Sequence, residues 1–473
     1  MYSEKFVPKD FIPKKDVQQD IFLKKNPNYD GRGILMAIID TAVDVNLPGL
    51  QKTSTGLPKI IDCFDFTGNG DVDTSKVKRI GTDGCLIGLS GRKMRIPKSW
   101  KNPSGKWHLG ITSILDECYN TVLDSIKIKD KNSAQILEYN QPKTIESKKA
   151  WKKIEIKTYP ELLSKDLATD CIVWNNGEKW QACLISAENF KNLENIKILS
   201  NFRDEHEYCF LSYEIPCCIT IQSNGNLLNL FIPFNSHGSS VAQVAARHFP
   251  VELEKDGLAP GAQIVSMKVC EKLTDFIKAK TSFEKALSKC IELGVDIINF
   301  SLGGGVFCEN TIVDLIKKAV KEKGIMITMS ASNSGPFISS LKNFTTHIDQ
   351  EILIIGSINT SDTNSIFGEK IDDPPTVTFY SSRGPLPNGA RGITFGVPSS
   401  AVIENPGWYT RKKQIFEGTS CASPIAAGAI TCLLSALKAN SMKYTPATIK
   451  MALCNTAFLP KNGDRLISKF HGF

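Results

Sequence analysis

Apolar residues recur in short, dense runs from Gly33 onward, and each run has the length of a strand. The runs are ILMAIID at 34–40, AQIVSMKV at 262–269, VDIINFSLG at 295–303, GIMITMSAS at 324–332 and EILIIGSI at 351–358. Continuous apolar runs are typical of strands that are buried on both faces of a parallel sheet. The intervening segments SFEKALSKCIELG and TIVDLIKKAVKEKG have the apolar spacing of helices. The pattern therefore predicts an α/β fold with a doubly wound, mostly parallel sheet.

This alternation is lost between about residues 52 and 230. Short strand-like pieces replace it, and CIVWNNGEKWQACLI carries a hairpin signal at Asn176-Gly177. A lysine-rich stretch at 116–153 has a helical pattern. We expect one α/β domain, built from residues 1–51 and 231–473, that is interrupted by an inserted α+β domain at 52–230.

Composition narrows the class of protein. With 473 residues and 41% hydrophobic content, the chain can bury a large core. The apolar runs are too short to cross a bilayer, and the charged amino terminus lacks a secretory pattern, so we expect a cytoplasmic protein with no membrane partner. Its fourteen cysteines include no Cys-x-x-Cys pair, and neither a zinc site nor a disulfide framework is indicated. The net charge is +8, but the basic residues are not part of a nucleic-acid recognition motif in which aromatic residues alternate with them. We therefore expect no nucleic-acid partner.

Four polar residues stand where catalysis could use them, and each also has an ordinary structural explanation. Asp40 ends the first strand, where parallel sheets bind ligands, although turn acids are common. His237 opens a helix rich in small residues, although a lone histidine is more often structural. Asn333 follows a strand, although its segment Asn-Ser-Gly-Pro is also typical of an ordinary turn. Ser420 opens an apolar helix, a position that serine also occupies as a cap.

The order of these residues decides between the two explanations. Asp, His and Ser follow one another as in the subtilisin arrangement, with the Asn between His and Ser. The segments DTAVD, HGSSVA, SASNSGP and GTSCASP resemble the four signature segments of subtilisin-like serine peptidases. The resemblance implies a subtilisin-like fold with the large insertion between Asp40 and His237.

The same resemblance implies a role for each residue. Ser420 is the nucleophile, His237 its general base and Asp40 the orienting acid. Asn333 is an oxyanion donor. A peptide substrate then pairs as an added strand with Ser301, Leu302 and Gly303. No cofactor and no metal are implied.

Further segments resemble the branch of this family that releases tripeptides from the amino termini of oligopeptides. They are NPNYDGRGILMAIIDTAVD, IGLSGRKMRIPKSWKNPSGKWHLGI, GLAPGAQIVSMK and FYSSRGP. The interval of 197 positions between Asp40 and His237 fits that branch. Only 39 residues precede Asp40, so we expect no folded inhibitory prodomain. We also expect a short form, a fragment or a truncated paralogue, because that branch continues past this carboxyl terminus into a region that builds large assemblies. Homo-oligomerisation stays open.

The sequence departs from the family pattern at several positions. Ala42 and Ser332 stand where glycine is usual, and Cys421 follows the nucleophile where methionine is common. None of these changes removes a reacting group, but Ser332 is expected to strain the turn before Asn333.

Two acidic residues that would capture a substrate's amino terminus also differ. Gly304 stands where a glutamate is expected, and Lys278 lies near the second acidic position. Asp275 or Glu309 could compensate in part. We therefore expect a peptidase with weakened selectivity for free amino termini.

Two other functions stay open at this point. One is a generalist endopeptidase, and the other is a catalytically silent pseudopeptidase that serves as a binding or assembly module. An intact set of four groups argues against the silent module.

In TGNGDVDT, Asp71 and Asp73 are interpreted as an acidic turn, since the rest of a calcium-loop pattern is absent.

Overall fold

The computed structural model describes residues 10–113, 168–187, 189–211, 215–271, 276–302, 310–341, 348, 350–367, 374–409 and 411–458. The lysine-rich segment predicted to be helical at 116–153 lies outside them. The chain divides into two compact units. The first contains residues 1–67, 235–407 and 411–473, and the second contains residues 68–234 and 408–410.

The strands and helices are numbered along the chain. The strands are β1 (Leu35–Asp40), β2 (Ile60–Asp65), β3 (Asp71–Asp73), β4 (Lys76–Lys78), β5 (Cys85–Ile87), β6 (Lys93–Arg95), β7 (Trp107–Ser113), β8 (Ala168–Asn175), β9 (Trp180–Ile185), β10 (Cys209–Leu211), β11 (Ile215–Gln222), β12 (Leu227–Phe231), β13 (Gln263–Lys268), β14 (Ile297–Phe300), β15 (Met326–Ser330), β16 (Leu353–Asn359), β17 (Thr376–Val377), β18 (Phe395–Pro398), β19 (Ser400–Glu404) and β20 (Lys413–Glu417). The helices are α1 (Gln19–Lys25), α2 (Phe202–Glu205), α3 (His237–Ala246), α4 (Phe276–Leu293), α5 (Asn310–Lys317), α6 (Ser361–Ser365), α7 (Thr419–Ala439) and α8 (Pro446–Thr456).

The first unit is built on one sheet with the strand order β17-β16-β15-β14-β1-β13-β2, in which β18 also pairs with β16. Every pairing is parallel except that of the short strand β17. The five apolar runs of the sequence form β1, β13, β14, β15 and β16, and the two helical patterns lie in α4 and α5. The predicted doubly wound, mostly parallel α/β fold is therefore confirmed.

The boundaries of the insertion differ from the prediction. Residues 52–67 belong to the first unit, because β2 pairs with β13 at the end of the parallel sheet. On the other side the second unit extends to residue 234 and also includes residues 408–410. The sequence missed β2 because Asp62 and Asp65 interrupt its apolar pattern.

Among the residues that the structure describes, the second unit contains two four-stranded sheets and a hairpin. The sheets have the orders β10-β11-β12-β3 and β4-β7-β8-β9, and the hairpin joins β5 to β6. The predicted turn at Asn176-Gly177 connects β8 to β9, with Asn175 opposite Trp180. Part of the core is a stack of tryptophans, in which the rings of Trp100 and Trp174 lie 4.9 Å apart.

Helix α7 is long and apolar enough to meet the length and hydropathy criteria for a membrane span. However, 72% of its apolar window is buried inside the protein. Gly428 allows this burial, because a Cβ atom there would lie 2.4 Å from Leu258 Cβ and 2.8 Å from the Ala245 carbonyl oxygen. The helix therefore packs closely against α3 and the segment that follows it.

Candidate active site

Asp40 and His237 meet at the carboxyl edge of the sheet, where β1 ends and α3 begins. His237 Nδ1 donates a hydrogen bond of 2.8 Å to Asp40 Oδ1. Asp40 is 1% exposed, and its Oδ1 also accepts from the Thr41 backbone N–H at 2.7 Å. With Nδ1 as donor, the other ring nitrogen, Nε2, is left to accept a proton.

A close approach of backbones brings the two residues together. A Cβ atom at Gly238 would lie 2.3 Å from the Ala42 carbonyl oxygen, so only glycine fits next to His237. The hydroxyls of Thr41 and Ser239 join the two segments further, because Thr41 Oγ1 accepts from the Gly238 N–H and Ser239 Oγ accepts from the Asp44 N–H. The small residues noted in the sequence are therefore required by the packing.

Ser420 lies in the first turn of α7 and is half-buried. Its hydroxyl donates to the Ser301 carbonyl oxygen at 2.8 Å, and Ser301 Oγ donates back to the Ser420 carbonyl oxygen at 3.0 Å. Within the described part of the chain, the Ser420 hydroxyl makes no hydrogen bond to His237. The ring of His237 contacts Phe416 on β20, with centroids 5.6 Å apart, so the imidazole lies beside the strand that leads into α7.

A buried polar network that sequence analysis missed holds Ser301 in place. Asn299, on the central strand β14, donates to Ser301 Oγ at 3.0 Å. Its Oδ1 accepts from Ser423 on α7 at 2.7 Å and from Thr328 on β15 at 3.0 Å. A buried Asn needs such partners, and the one signal in the sequence is the Asn within the apolar run VDIINFSLG.

Asn333 contacts the turn that leads into α7. Its Oδ1 accepts from the Thr419 N–H at 3.0 Å and from Thr419 Oγ1 at 2.9 Å. Because a backbone N–H can only donate, this contact fixes the oxygen of the amide toward Thr419. Asn333 is exposed, and its amide nitrogen lies next to Gly418, where a Cβ atom would lie 3.1 Å from Nδ2.

The expected strain before Asn333 is present, since Ser332 has a φ of 72°. Ala42, the other residue in place of a usual glycine, has a φ of 149°. Both values fall in the region that favours glycine. Ala42 and Ser332 therefore occupy positions whose backbone conformation favours glycine.

Buried ionisable groups surround the Asp40 side of the site. Burial raises the pKa of Asp44 to about 7, although a hydrogen bond from the Asn46 N–H opposes this effect. Lys268, opposite Asp40 in the register of β1 and β13, pairs with Asp65 at 2.9 Å and with Glu271. Burial opposes the Lys268 charge, but these carboxylates outweigh it and raise the lysine's pKa. The sequence analysis identified neither Asp44 nor Lys268 as part of the site.

The predicted substrate strand is described only in part. Ser301 and Leu302 are buried directly after β14. Gly303, Gly304, Asp275, Glu309 and the side chain of Lys278 lie outside the described residues. Among the described residues, no group of three or more His, Cys, Asp or Glu side chains could hold a metal ion.

The fold and the site define a class of protein. A doubly wound parallel sheet carries an Asp–His pair at its carboxyl edge and a serine in the first turn of a buried helix, which is the framework of the subtilisin-like proteins. The chain belongs to the Subtilase family, peptidase S8, whose model matches residues 31–473.

Several relatives cover nearly all of this chain. It is 34% identical to tripeptidyl-peptidase 2 of Caenorhabditis elegans, over 95% of this chain and 34% of that protein. It is 30% identical to tripeptidyl-peptidase 2 of Arabidopsis thaliana, over 94% of this chain and 35% of that protein. The chain thus spans about a third of the length of these relatives.

A solved structure shows the same fold. The crystal structure of tripeptidyl peptidase 2 matches 91% of this chain and 35% of its own chain, with a TM-score of 0.67 and 24% identity.

Proposed function

We propose that this chain is a serine peptidase that cleaves peptide bonds through an acyl-enzyme, with Ser420 as nucleophile, His237 as general base and Asp40 as orienting acid. The observation that carries the proposal is the 2.8 Å contact between His237 and Asp40 at the carboxyl edge of the sheet. A buried carboxylate there holds the imidazole in the tautomer that accepts a proton at Nε2.

The Ser420 hydroxyl must turn for the reaction to begin. It now donates to the Ser301 carbonyl oxygen, and we propose that rotation about its χ1 angle redirects it toward His237. His237 takes the hydroxyl proton while Ser420 Oγ attacks the substrate carbonyl carbon. The imidazolium then protonates the leaving amine, and water, activated by the same histidine, releases the acyl product.

The negative oxygen of the tetrahedral intermediate needs donors. Asn333 is exposed, and its amide oxygen is anchored by Thr419, which leaves the amide nitrogen to donate. The Ser420 backbone N–H has no acceptor among the described residues, and it lies at the amino terminus of α7, where the helix favours negative charge. We assign these two groups to the oxyanion.

The relatives support a proposal for the substrate class. Two tripeptidyl-peptidases 2 share at least 30% identity with nearly the whole chain, so we propose an aminopeptidase that removes tripeptides from oligopeptides. The cytoplasm, expected from the sequence, is the compartment that we propose for it. Ser301, Leu302 and Gly303 would pair with the peptide backbone as an added strand. The glycine at 304 and the lysine at 278 supply no carboxylate for the substrate's amino group, which weakens the selectivity for free amino termini.

Hydrolysis of an Ala-Ala-Phe reporter tests the chemistry. The wild-type chain is expected to release the reporter group, and Ser420→Ala and His237→Ala are each expected to abolish release. Ser365→Ala, at an exposed serine in α6, is the matched control and should retain full activity. Equal activity of Ser420→Ala and the wild-type chain would refute the proposal, as would a wild-type chain that cleaves no peptide.

A further inference from the structure

Two cysteines of the second unit lie opposite each other in an antiparallel pair of strands. Cys209 on β10 is in register with Cys217 on β11. Directly opposite residues in such a pair have Cα atoms about 4.5–5.5 Å apart, which is within the range that a disulfide spans. The Cys217 thiol donates a hydrogen bond of 3.6 Å to the Cys218 carbonyl oxygen.

The two thiols differ in exposure. Cys209 is half-buried, whereas Cys217 is completely buried in the core of the unit. A reagent from solvent therefore reaches Cys209 first, whereas Cys217 is not accessible to it. Cys218 is also buried, but consecutive residues of a strand point to opposite faces, so its side chain points away from Cys209.

A positive charge lies near the residue that precedes the half-buried Cys209. The Lys197 ammonium stands 5.7 Å from the ring centroid of Tyr208, the residue before Cys209. Interaction with the Cys217 side chain lowers the Cys209 pKa below its usual value; burial opposes this effect and Lys197 adds to it. Interaction with Cys209, together with burial, raises the pKa of Cys217 well above its usual value. The thiolate, which is the reactive form, is thus favoured at Cys209.

We propose that Cys209 and Cys217 are a redox-active dithiol that hydrogen peroxide converts into a disulfide across the β10–β11 pair of strands. The Cys209 thiolate attacks one peroxide oxygen and the O–O bond breaks, which gives a sulfenic acid and hydroxide; the hydroxide takes up the proton that Cys209 released on ionisation. The Cys217 sulfur then attacks the Cys209 sulfur, the S–O bond breaks, and the thiol proton leaves with the hydroxyl as water. Two thiols are oxidised, and one hydrogen peroxide is reduced to two waters. A dithiol reductant reverses the change.

Cys85 offers a matched comparison within the same unit. It is also half-buried, but its partner in the β5–β6 register is Arg95. Its thiol donates to the Asp83 carbonyl oxygen at 3.7 Å. Exposure alone would make the two cysteines similarly reactive, whereas the proposal places the reactive site at Cys209.

The experiment maps disulfides in the full chain after brief treatment with hydrogen peroxide. Remaining thiols are alkylated, and the chain is cut with chymotrypsin, because Phe210 and Leu211 give cleavage sites between the two cysteines. The expected product is a Cys209–Cys217 linkage that dithiothreitol removes and that forms at least roughly tenfold faster than any oxidation at Cys85. Cys85→Ser and Cys218→Ala should form the same linkage.

Cys217→Ser separates the two steps. Without the second thiol, Cys209 should accumulate as a sulfenic acid that dimedone traps. The proposal is overturned if peroxide leaves both cysteines reduced in the wild-type chain, if Cys85 oxidises as fast as Cys209, or if Cys209 links to Cys218 instead. The wild-type mapping decides the question even if Cys217→Ser fails to fold.

Discussion

Asn333 is an exposed residue whose amide is held through its oxygen. Thr419 fixes its oxygen through two hydrogen bonds, so the nitrogen keeps its direction without help from the substrate. A donor that is aimed before the reaction stabilises the transition state without reorganisation. This geometry makes Asn333 the residue on which the rate, rather than binding, should depend.

Replacing Asn333 with alanine should therefore slow catalysis and leave substrate binding nearly unchanged. Loss of one oxyanion donor typically costs about 10²–10³-fold in kcat. Steady-state kinetics on a tripeptide reporter measure the effect, and Ser334→Ala, one residue further on, serves as the control. Full activity of Asn333→Ala would show that the oxyanion is held elsewhere.

Asp44 links the stability of the site to pH. Its Oδ2 is buried and has no hydrogen-bond partner among the described residues, and burial raises its pKa from 3.8 to about 7. The folded protein therefore holds the Asp44 proton in a range where the unfolded chain has lost it. Below about pH 4 both states are protonated, and the stability contributed by this group is lost as the pH rises toward 7.

Asp44→Asn should remove this dependence. We expect the free energy of unfolding of the variant, relative to the wild-type protein, to increase by roughly 4 kcal/mol between pH 4 and pH 8, because about three pKa units each contribute about 1.4 kcal/mol. Urea unfolding at a series of pH values measures the difference, and Asp20→Asn, at an exposed acid on α1, is the control. A constant difference across this range would mean that Asp44 is already ionised in the folded protein.

At the scale of elements, the contact between α7 and α3 determines where Ser420 stands relative to His237. Both helices begin with a proposed catalytic residue or within one residue of it. Gly428 allows them to approach, because any larger residue would collide with Leu258 and with the Ala245 carbonyl. The rigid packing of the two helices thus positions the first turn of α7.

Gly428→Ala separates packing from helix propensity. Intrinsic propensity favours alanine inside a helix by roughly 1 kcal/mol, whereas overpacking costs roughly 1–3 kcal/mol. Because the added Cβ would lie 2.4 Å from Leu258 Cβ, we expect the variant to be less stable than the wild-type protein and less active. Thermal unfolding gives the sign directly, and a more stable variant would contradict the close packing.

The strands and helices that the sequence predicted well are those with a continuous apolar run or a regular spacing of apolar residues. The apolar runs ending at Asp40 and at Ser332 became strands of the parallel sheet because their residues are buried on both faces. Strand β2 was assigned to the insertion, since two aspartates break its pattern and only its pairing with β13 identifies it. Local pattern therefore located the central strands but not the end of the sheet.

The candidate site was likewise predicted only in part. The order of the motifs identified Asp40, His237, Asn333 and Ser420, and the structure places Asp40 and His237 in direct contact. Their catalytic roles stay predictions. The direction of the Ser420 hydroxyl could not be foreseen, because it depends on Ser301, which is 119 positions away in the chain. The rotamer of a side chain depends on partners that are distant in the sequence, and a local sequence pattern does not identify those partners.

At the scale of the whole molecule, the family assignment and the details of the chain point to different degrees of selectivity. The relatives are tripeptidyl-peptidases, but this chain has Gly304 and Lys278 where the resemblance leads us to expect acids. Losing one partner of a desolvated charge pair typically costs about 2–5 kcal/mol, and about 1.4 kcal/mol is a factor of ten. Preference for a free amino terminus should be lower by roughly tenfold to a thousandfold.

Comparing Ala-Ala-Phe reporters with free and acetylated amino termini measures this preference. We expect the wild-type chain to cleave the two at similar rates, and Gly304→Glu to raise the ratio in favour of the free amine by roughly tenfold or more. A strong preference in the wild-type chain would mean that another acid, such as Asp275 or Glu309, binds the amino group. Strong cleavage of long, blocked peptides would favour an endopeptidase.

The central claim is that His237 and Asp40 activate Ser420 as a nucleophile, and covalent labelling tests it most directly. A fluorophosphonate probe reacts with an activated serine, and mass spectrometry identifies the residue that carries the adduct. We predict one adduct, on Ser420, that is lost in Ser420→Ala and strongly reduced in His237→Ala, while the control Ser365→Ala is labelled like the wild-type chain. If a correctly folded wild-type chain carries no adduct on Ser420, or if labelling persists unchanged in His237→Ala, the account is wrong.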